Sequence, residues 1–171
     1  MPRYVAFLRG VSPMNAKMAA LKACFEAEGF SNVRTLLTSG NVVFDARAAS
    51  PASFGRRAER AMQAEWGRSF DTFVRSADYL REFVESDPFA RFGLPPTAKR
   101  VVTFLRSPAE PGLAWPLERA GASILGFAGS ELLSAYVPGP SGPVLMALLE
   151  RTFGRGITTR TLDTVRKCAW A

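Results

Sequence analysis

Arg3-Tyr4-Val5-Ala6-Phe7-Leu8-Arg9 recurs as Arg100-Val101-Val102-Thr103-Phe104-Leu105-Arg106, with five of the seven residues identical. Neither copy alternates polar with apolar residues through its middle, so each reads as a β-strand covered on both faces. Two copies of one first strand divide the chain into two similar halves. The elements of each half can be read outward from its copy.

After the first copy, Met18, Leu21, Cys24 and Phe25 fall at three- and four-residue spacings, a helical stripe that Gly29 stops. Strands follow over 32–37 and 41–45, joined through Ser39-Gly40-Asn41, whose residue types suit a tight hairpin turn. Ser50-Pro51 opens a second helix as N-cap and first-turn proline; Phe54, Ala58, Ala61 and Met62 mark its apolar face, and Gly67 ends it. A strand over 70–75 comes next, then a helix begun by Ser76 and Asp78 and stopped by Asp87-Pro88.

The second copy is followed by the same order: a short helix near 114–119, then strands near 123–127 and 131–137 with Gly129-Ser130 as the turn. A helix carrying Val144, Leu145, Leu148, Leu149 and Phe153 comes next, then a short strand over 157–160 and a last helix from Leu162. The fold class expected is α+β, with two tandem ferredoxin-like (βαββαβ) halves, each followed by an extra helix, packed as one compact unit. The first half takes residues 1–91 and the second 99–171. Residues 92–98 connect them, because Gly93, Pro95 and Pro96 make poor element interiors.

Composition narrows the chemistry. The 171 residues, 47% hydrophobic and 11% aromatic, are enough for a substantial core. There is no histidine, which removes the commonest general base and metal ligand and excludes Ser-His-Asp and Cys-His catalysis. Only Cys24 and Cys168 are present, far apart and in apolar surroundings, so neither a disulfide framework nor a metal site is expected, and no cofactor is implied. No apolar run approaches the roughly 18 residues that span a bilayer. Met1 to Arg9 lead straight into a strand without a signal-peptide pattern. A cytoplasmic location with no membrane partner is the expectation.

The formal charge is +7, with 22 lysines and arginines, only four of them lysine. Such a balance attracts anions, and an arginine-rich genome would also produce it. The imbalance is concentrated at the end, where Arg151, Arg155, Arg160, Arg166 and Lys167 face Asp163 alone. That segment is the candidate anion surface.

With these residues placed, the chain resembles the bacterial family catalogued as domain of unknown function 1697. The resemblance rests on Tyr4-Val5-Ala6-Phe7-Leu8-Arg9-Gly10, on Gly29-Phe30 leading to Thr38-Ser39-Gly40-Asn41-Val42-Val43-Phe44, and on Ile157-Thr158-Thr159-Arg160 with Thr164-Val165 and Lys167. It implies two ferredoxin-like halves and no particular activity. Many members carry a glycine-rich, lysine-containing loop after the first Arg-Gly. Here Val11-Ser12-Pro13-Met14-Asn15-Ala16-Lys17 stands instead, which weakens the case for a backbone-amide anion cradle and leaves Lys17 as the positive charge.

Two clusters are candidate ligand-binding sites. In a split βαβ unit the end of the first strand and the turn between the second and third share one sheet edge, which would gather Arg9, Gly10, Asn15, Lys17, Ser39, Gly40 and Asn41 on one rim. Turn chemistry accounts for the same residues. The second cluster is Arg155 with Thr158, Thr159 and Arg160, where hydroxyls and a guanidinium meet the start of the last helix and could hold a phosphate or carboxylate. Helix capping by Thr161 is the plain alternative.

Three functions compete. The leading one is a binding protein for an anionic partner, either a phosphorylated small molecule or a nucleic acid. The second is a small-molecule enzyme that orients its substrate with Arg9, Asn41 and Lys17 at a rim between the halves, although no base or nucleophile stands out. The third is a protein–protein interaction scaffold. An RNA-recognition mode is disfavoured because Tyr4, Phe7 and Phe44 sit in strands whose faces both read as buried.

Overall fold

Arg3–Leu8 forms β1, and its register explains the unbroken apolar run. Tyr4 lies opposite Phe44 and Ser76, and Ala6 opposite Val42 and Val74, so β1 is a central strand paired on both sides. Both of its alternating side-chain sets are buried, Val5 and Phe7 as fully as Ala6 and Leu8. The computed structural model describes residues 1–106, 112, 114–139 and 141–171. Its backbone contacts divide these into two compact units, one of residues 1–82 with 166–171 and one of residues 83–165.

In the first unit β1 is followed by α1 (Met18–Ala27), β2 (Ser31–Leu36), β3 (Asn41–Asp45), α2 (Pro51–Trp66), β4 (Thr72–Ser76) and α3, which begins at Ala77 and runs to Glu85. The strands make an antiparallel sheet in the order β2-β3-β1-β4. Helix α2 starts as its sequence signals. The Ser53 amide donates to Ser50 Oγ at 3.3 Å, proline occupies the first turn, and Gly67 closes the helix in the left-handed conformation. Tyr4, Ala6 and Leu8 meet Leu21 and Phe25 of α1 and Phe54, Ala58 and Met62 of α2 in one core. Its centre is aromatic, with Phe30 and Phe44 centroids 4.4 Å apart and Tyr4 and Phe54 4.6 Å apart. The chain end also belongs here: Arg3 Nε donates to the Ala171 carbonyl and Arg81 Nε to that of Ala169, each at 2.8 Å.

The second unit contains β5 (Lys99–Leu105), β6 (Leu117–Arg119), β7 (Ala122–Ala128), β8 (Glu131–Tyr136), α4 (Ser141–Phe153) and β9 (Ile157–Thr161), with α5 (Leu162–Ala169) leading back to the chain end. Its antiparallel order is β6-β7-β8-β5-β9. Val101, Leu105, Ile124 and Leu132 of the sheet pack with Leu145 and Leu149 of α4.

The helix expected near 114–119 is not formed, and the second half is therefore not βαββαβ over its described residues. Trp115 bends the chain, Pro116 brings no backbone donor, and Leu117–Arg119 pairs with Ala122–Ile124 as strand β6. Ala120 and Gly121, at φ 47° and 82°, are the two left-handed residues of a tight hairpin turn between them. The other expected elements form, with ends shifted by one or two residues. Taken together, the chain is a mixed α+β protein with two antiparallel sheets and, among the described residues, five α-helices.

Candidate functional site

The residues of the first predicted cluster lie in the first unit, and the side chains of Asn15 and Asn41 are spent on the loops themselves. Leu8 N–H donates to the Gly40 carbonyl at 2.9 Å, which fixes the β2–β3 turn against the end of β1. Gly40 sits at φ 86°, and a Cβ there would lie 2.8 Å from Val11 Cβ, so only glycine fits. Asn41 is completely buried, and its amide donates to the Leu36 carbonyl at 3.0 Å and to Ser39 Oγ at 3.1 Å. Asn15 accepts from Ser12 N–H at 2.9 Å and donates to the Gly10 carbonyl at 2.8 Å. The Arg9 amide donates to the Asp71 carbonyl at 2.9 Å, and Arg68 reaches the Asn15 carbonyl. Lys17 stands exposed at the start of α1.

The second cluster lies in the second unit and is spread along β9. Arg155 is exposed in the turn before the strand. Thr158 and Arg160 are buried, and the Arg160 guanidinium folds back along its own strand, donating from Nη1 to Thr158 Oγ1 at 2.8 Å and to the Thr159 carbonyl at 2.7 Å. Thr159 directs its hydroxyl to Met146 Sδ at 3.6 Å. Thr161 caps α5, accepting from Thr164 N–H at 3.3 Å. Arg155 thus lies outside β9, in the turn that precedes it, while Arg160 is spent within the strand.

Two cavities lie elsewhere. One, of about 330 Å³, runs between α4 and the hairpin of β6, lined by Arg119, Pro143, Val144, Ala147, Leu148 and Arg151. Residues 144, 147, 148 and 151 repeat at helical three- and four-residue spacings, so they form one stripe of α4, while Leu145 and Leu149 point into the core. Arg119 ends β6 and Arg151 lies in the last turn of α4. Both are exposed, and neither makes a hydrogen bond or an ion pair among the described residues. The wall between the two arginines is apolar over its described residues.

The other cavity, of about 440 Å³, separates α1 from α2 and is lined by Ala20, Ala23, Cys24, Ala27, Glu65 and Trp66 among others. Burial, and after it the carboxylates of Glu65 and Glu28, push the Cys24 thiol up from its ordinary value. A thiol held protonated in this way is a poor nucleophile and a poor metal ligand. Neither cysteine is in a disulfide, and among the described residues no group of cysteines and carboxylates is placed to hold a metal ion. Tyr4, Phe7 and Phe44 are all buried, so these three rings offer no stacking platform for bases. No helix among the described residues is long and apolar enough to cross a membrane.

The family model described as "Protein of unknown function (DUF1697)" matches residues 1–123. The chain belongs to the DUF1697 family. The match contains two of the three motifs that carried the resemblance, those at Tyr4–Gly10 and Gly29–Phe44. It also contains Arg119, and it stops short of α4. The conserved bacterial protein SP0830 from Streptococcus pneumoniae has a similar fold, with a TM-score of 0.71 at 20% identity over 99% of this chain and 97% of that one. No curated protein matches the chain. Family and fold together assign this DUF1697 protein no activity.

Sequence reasoning passed over Arg119 because it stood in an expected helix. Arg151 was visible only as one member of the basic end. The usable signal was Ala120-Gly121 three residues before an apolar run, which marks a hairpin and brings Arg119 to a strand end.

Proposed function

We propose that this DUF1697 protein binds a small anionic ligand in the cleft between β6 and α4, with Arg119 and Arg151 holding its negative group. The observation that carries the reading is that two arginines, neither paired among the described residues, line one apolar-walled cleft. Two like charges at one site repel each other, and an anion between them replaces that repulsion with charge-assisted hydrogen bonds. A concave site of about 330 Å³ suits a small molecule better than a nucleic-acid strand, which tracks an open groove.

On the same reading, the two units are copies of one ferredoxin-like unit. The order β7-β8-β5-β9 repeats β2-β3-β1-β4 with β6 added at the edge, which supports duplication.

The test is a thermal-shift panel at low salt with inorganic phosphate, sulfate and simple carboxylates, because a ligand that binds only the folded state raises the melting temperature. A shift lost in both Arg119→Ala and Arg151→Ala is expected. A shift that survives in both variants places the anion elsewhere, and no shift with any anion rejects the reading.

A further inference from the structure

Resting on the anion site just proposed, we infer that its ligand is amphipathic, a carboxylate or phosphate head carried on an apolar tail. Among the described residues the lining is apolar apart from the two arginines: Pro143, Val144, Ala147 and Leu148 have no side-chain donor or acceptor. Val144 and Leu148 are half-buried, packed on one side against the core cluster of Leu145 and Leu149, and Ala147 is exposed, so the edge of that core that α4 leaves open toward the cleft is apolar. A bare inorganic anion or a sugar phosphate would leave that wall in water and would bring hydroxyls to a surface that cannot bond them.

Size follows from the same walls. About 330 Å³ lies at the small end of the range for small-molecule sites, and a medium-chain acid such as octanoate is the probe of that class. Arg119 and Arg151 fix the charged end, and the length of the α4 stripe limits the tail. Ala147 is the smallest of the α4 side chains lining the cleft, so a larger residue there would fill the space of the tail and leave the cations free.

The experiment is isothermal titration of the full chain with acetate, butyrate, octanoate, octyl phosphate, octanol and inorganic phosphate, repeated on Arg119→Ala and Ala147→Phe. Each methylene buried against the wall is expected to tighten binding about two- to fourfold up to octanoate. Octanol is expected to bind at least tenfold more weakly than octanoate. Ala147→Phe should lose octanoate and keep inorganic phosphate, whereas Arg119→Ala should weaken both. Because residue 147 is exposed, its circular dichroism and melting temperature should match the parent, and a variant that unfolds is replaced by Ala147→Leu. Acetate or inorganic phosphate binding as tightly as octanoate would overturn the amphipathic ligand and leave the anion site standing. Octanol binding as tightly as octanoate, or no binding by any probe, would overturn both.

Discussion

Arg119, the last residue of β6, and Arg151, in the last turn of α4, line one cleft although they stand 32 positions apart in the chain. Both side chains lie at the surface, and neither is bonded among the described residues. Arg119→Ala and Arg151→Ala should therefore leave the ligand-free melting temperature within about 2 °C of the parent, since exposed substitutions change stability little. Ligand-induced stabilisation should fall in each variant. A scan with and without octanoate reads both effects at once.

Asp45 ties the folded state to pH. Burial works to raise its carboxyl, but hydrogen bonds from Asn32 Nδ2 and Arg3 Nη1, each 2.7 Å, together with the positive charge of Arg3 and of the N-terminus, hold it below the usual aspartate value. A lowered folded-state pKa contributes stability that is present above the unfolded value of about 3.9 and is lost as pH falls through the folded value. Asp45→Asn should cost on the order of 1 kcal/mol at pH 7 and flatten the acid limb below about pH 4. Urea midpoints measured from pH 2.5 to 7 would show it.

Gly40 is held by both its backbone and its neighbours. Its φ of 86° and the 2.8 Å approach of Val11 Cβ to a Cβ built there make Gly40→Ala strained twice over. The expected loss is about 1–3 kcal/mol in chemical unfolding. Gly10, at a similar φ of 82° but with nothing within 4 Å, should lose less on the same change.

Thr103 sits fully buried in β5, and its hydroxyl has no hydrogen-bond partner among the described residues. Replacing it with isosteric valine removes an unsatisfied group without changing the volume. Thr103→Val should be neutral or stabilising by up to about 1 kcal/mol, and Thr103→Ser, which keeps the hydroxyl and deletes a methyl group, should destabilise by a similar amount. Differential scanning calorimetry of the two variants distinguishes these directions.

Much of the fold was legible because its signals are local. The repeated strand, Ser50-Pro51, Gly67 and the Ser39-Gly40-Asn41 turn each specify their own geometry through capping, φ or pattern. Strand β6 was not, because three residues are too few to show a period and its strand character comes from pairing with β7. The site residues divide in the same way. Asn41 and Thr161 could be read from their types as turn and cap, and that is how their side chains bond. That Arg160 turns back onto Thr158 depends on how β9 packs beside β5. The joining of Arg119 to Arg151 depends on α4 lying over an edge hairpin, a tertiary relationship that no local pattern encodes.

Where the anion sits is the central question, and amide chemical-shift mapping of the isotope-labelled chain titrated with octanoate addresses it directly. The account predicts saturable shifts concentrated at Arg119, Val144, Ala147, Leu148 and Arg151. Shifts concentrated instead at Arg9 to Lys17, or at Arg155 to Arg160, or no shifts at all, would contradict it.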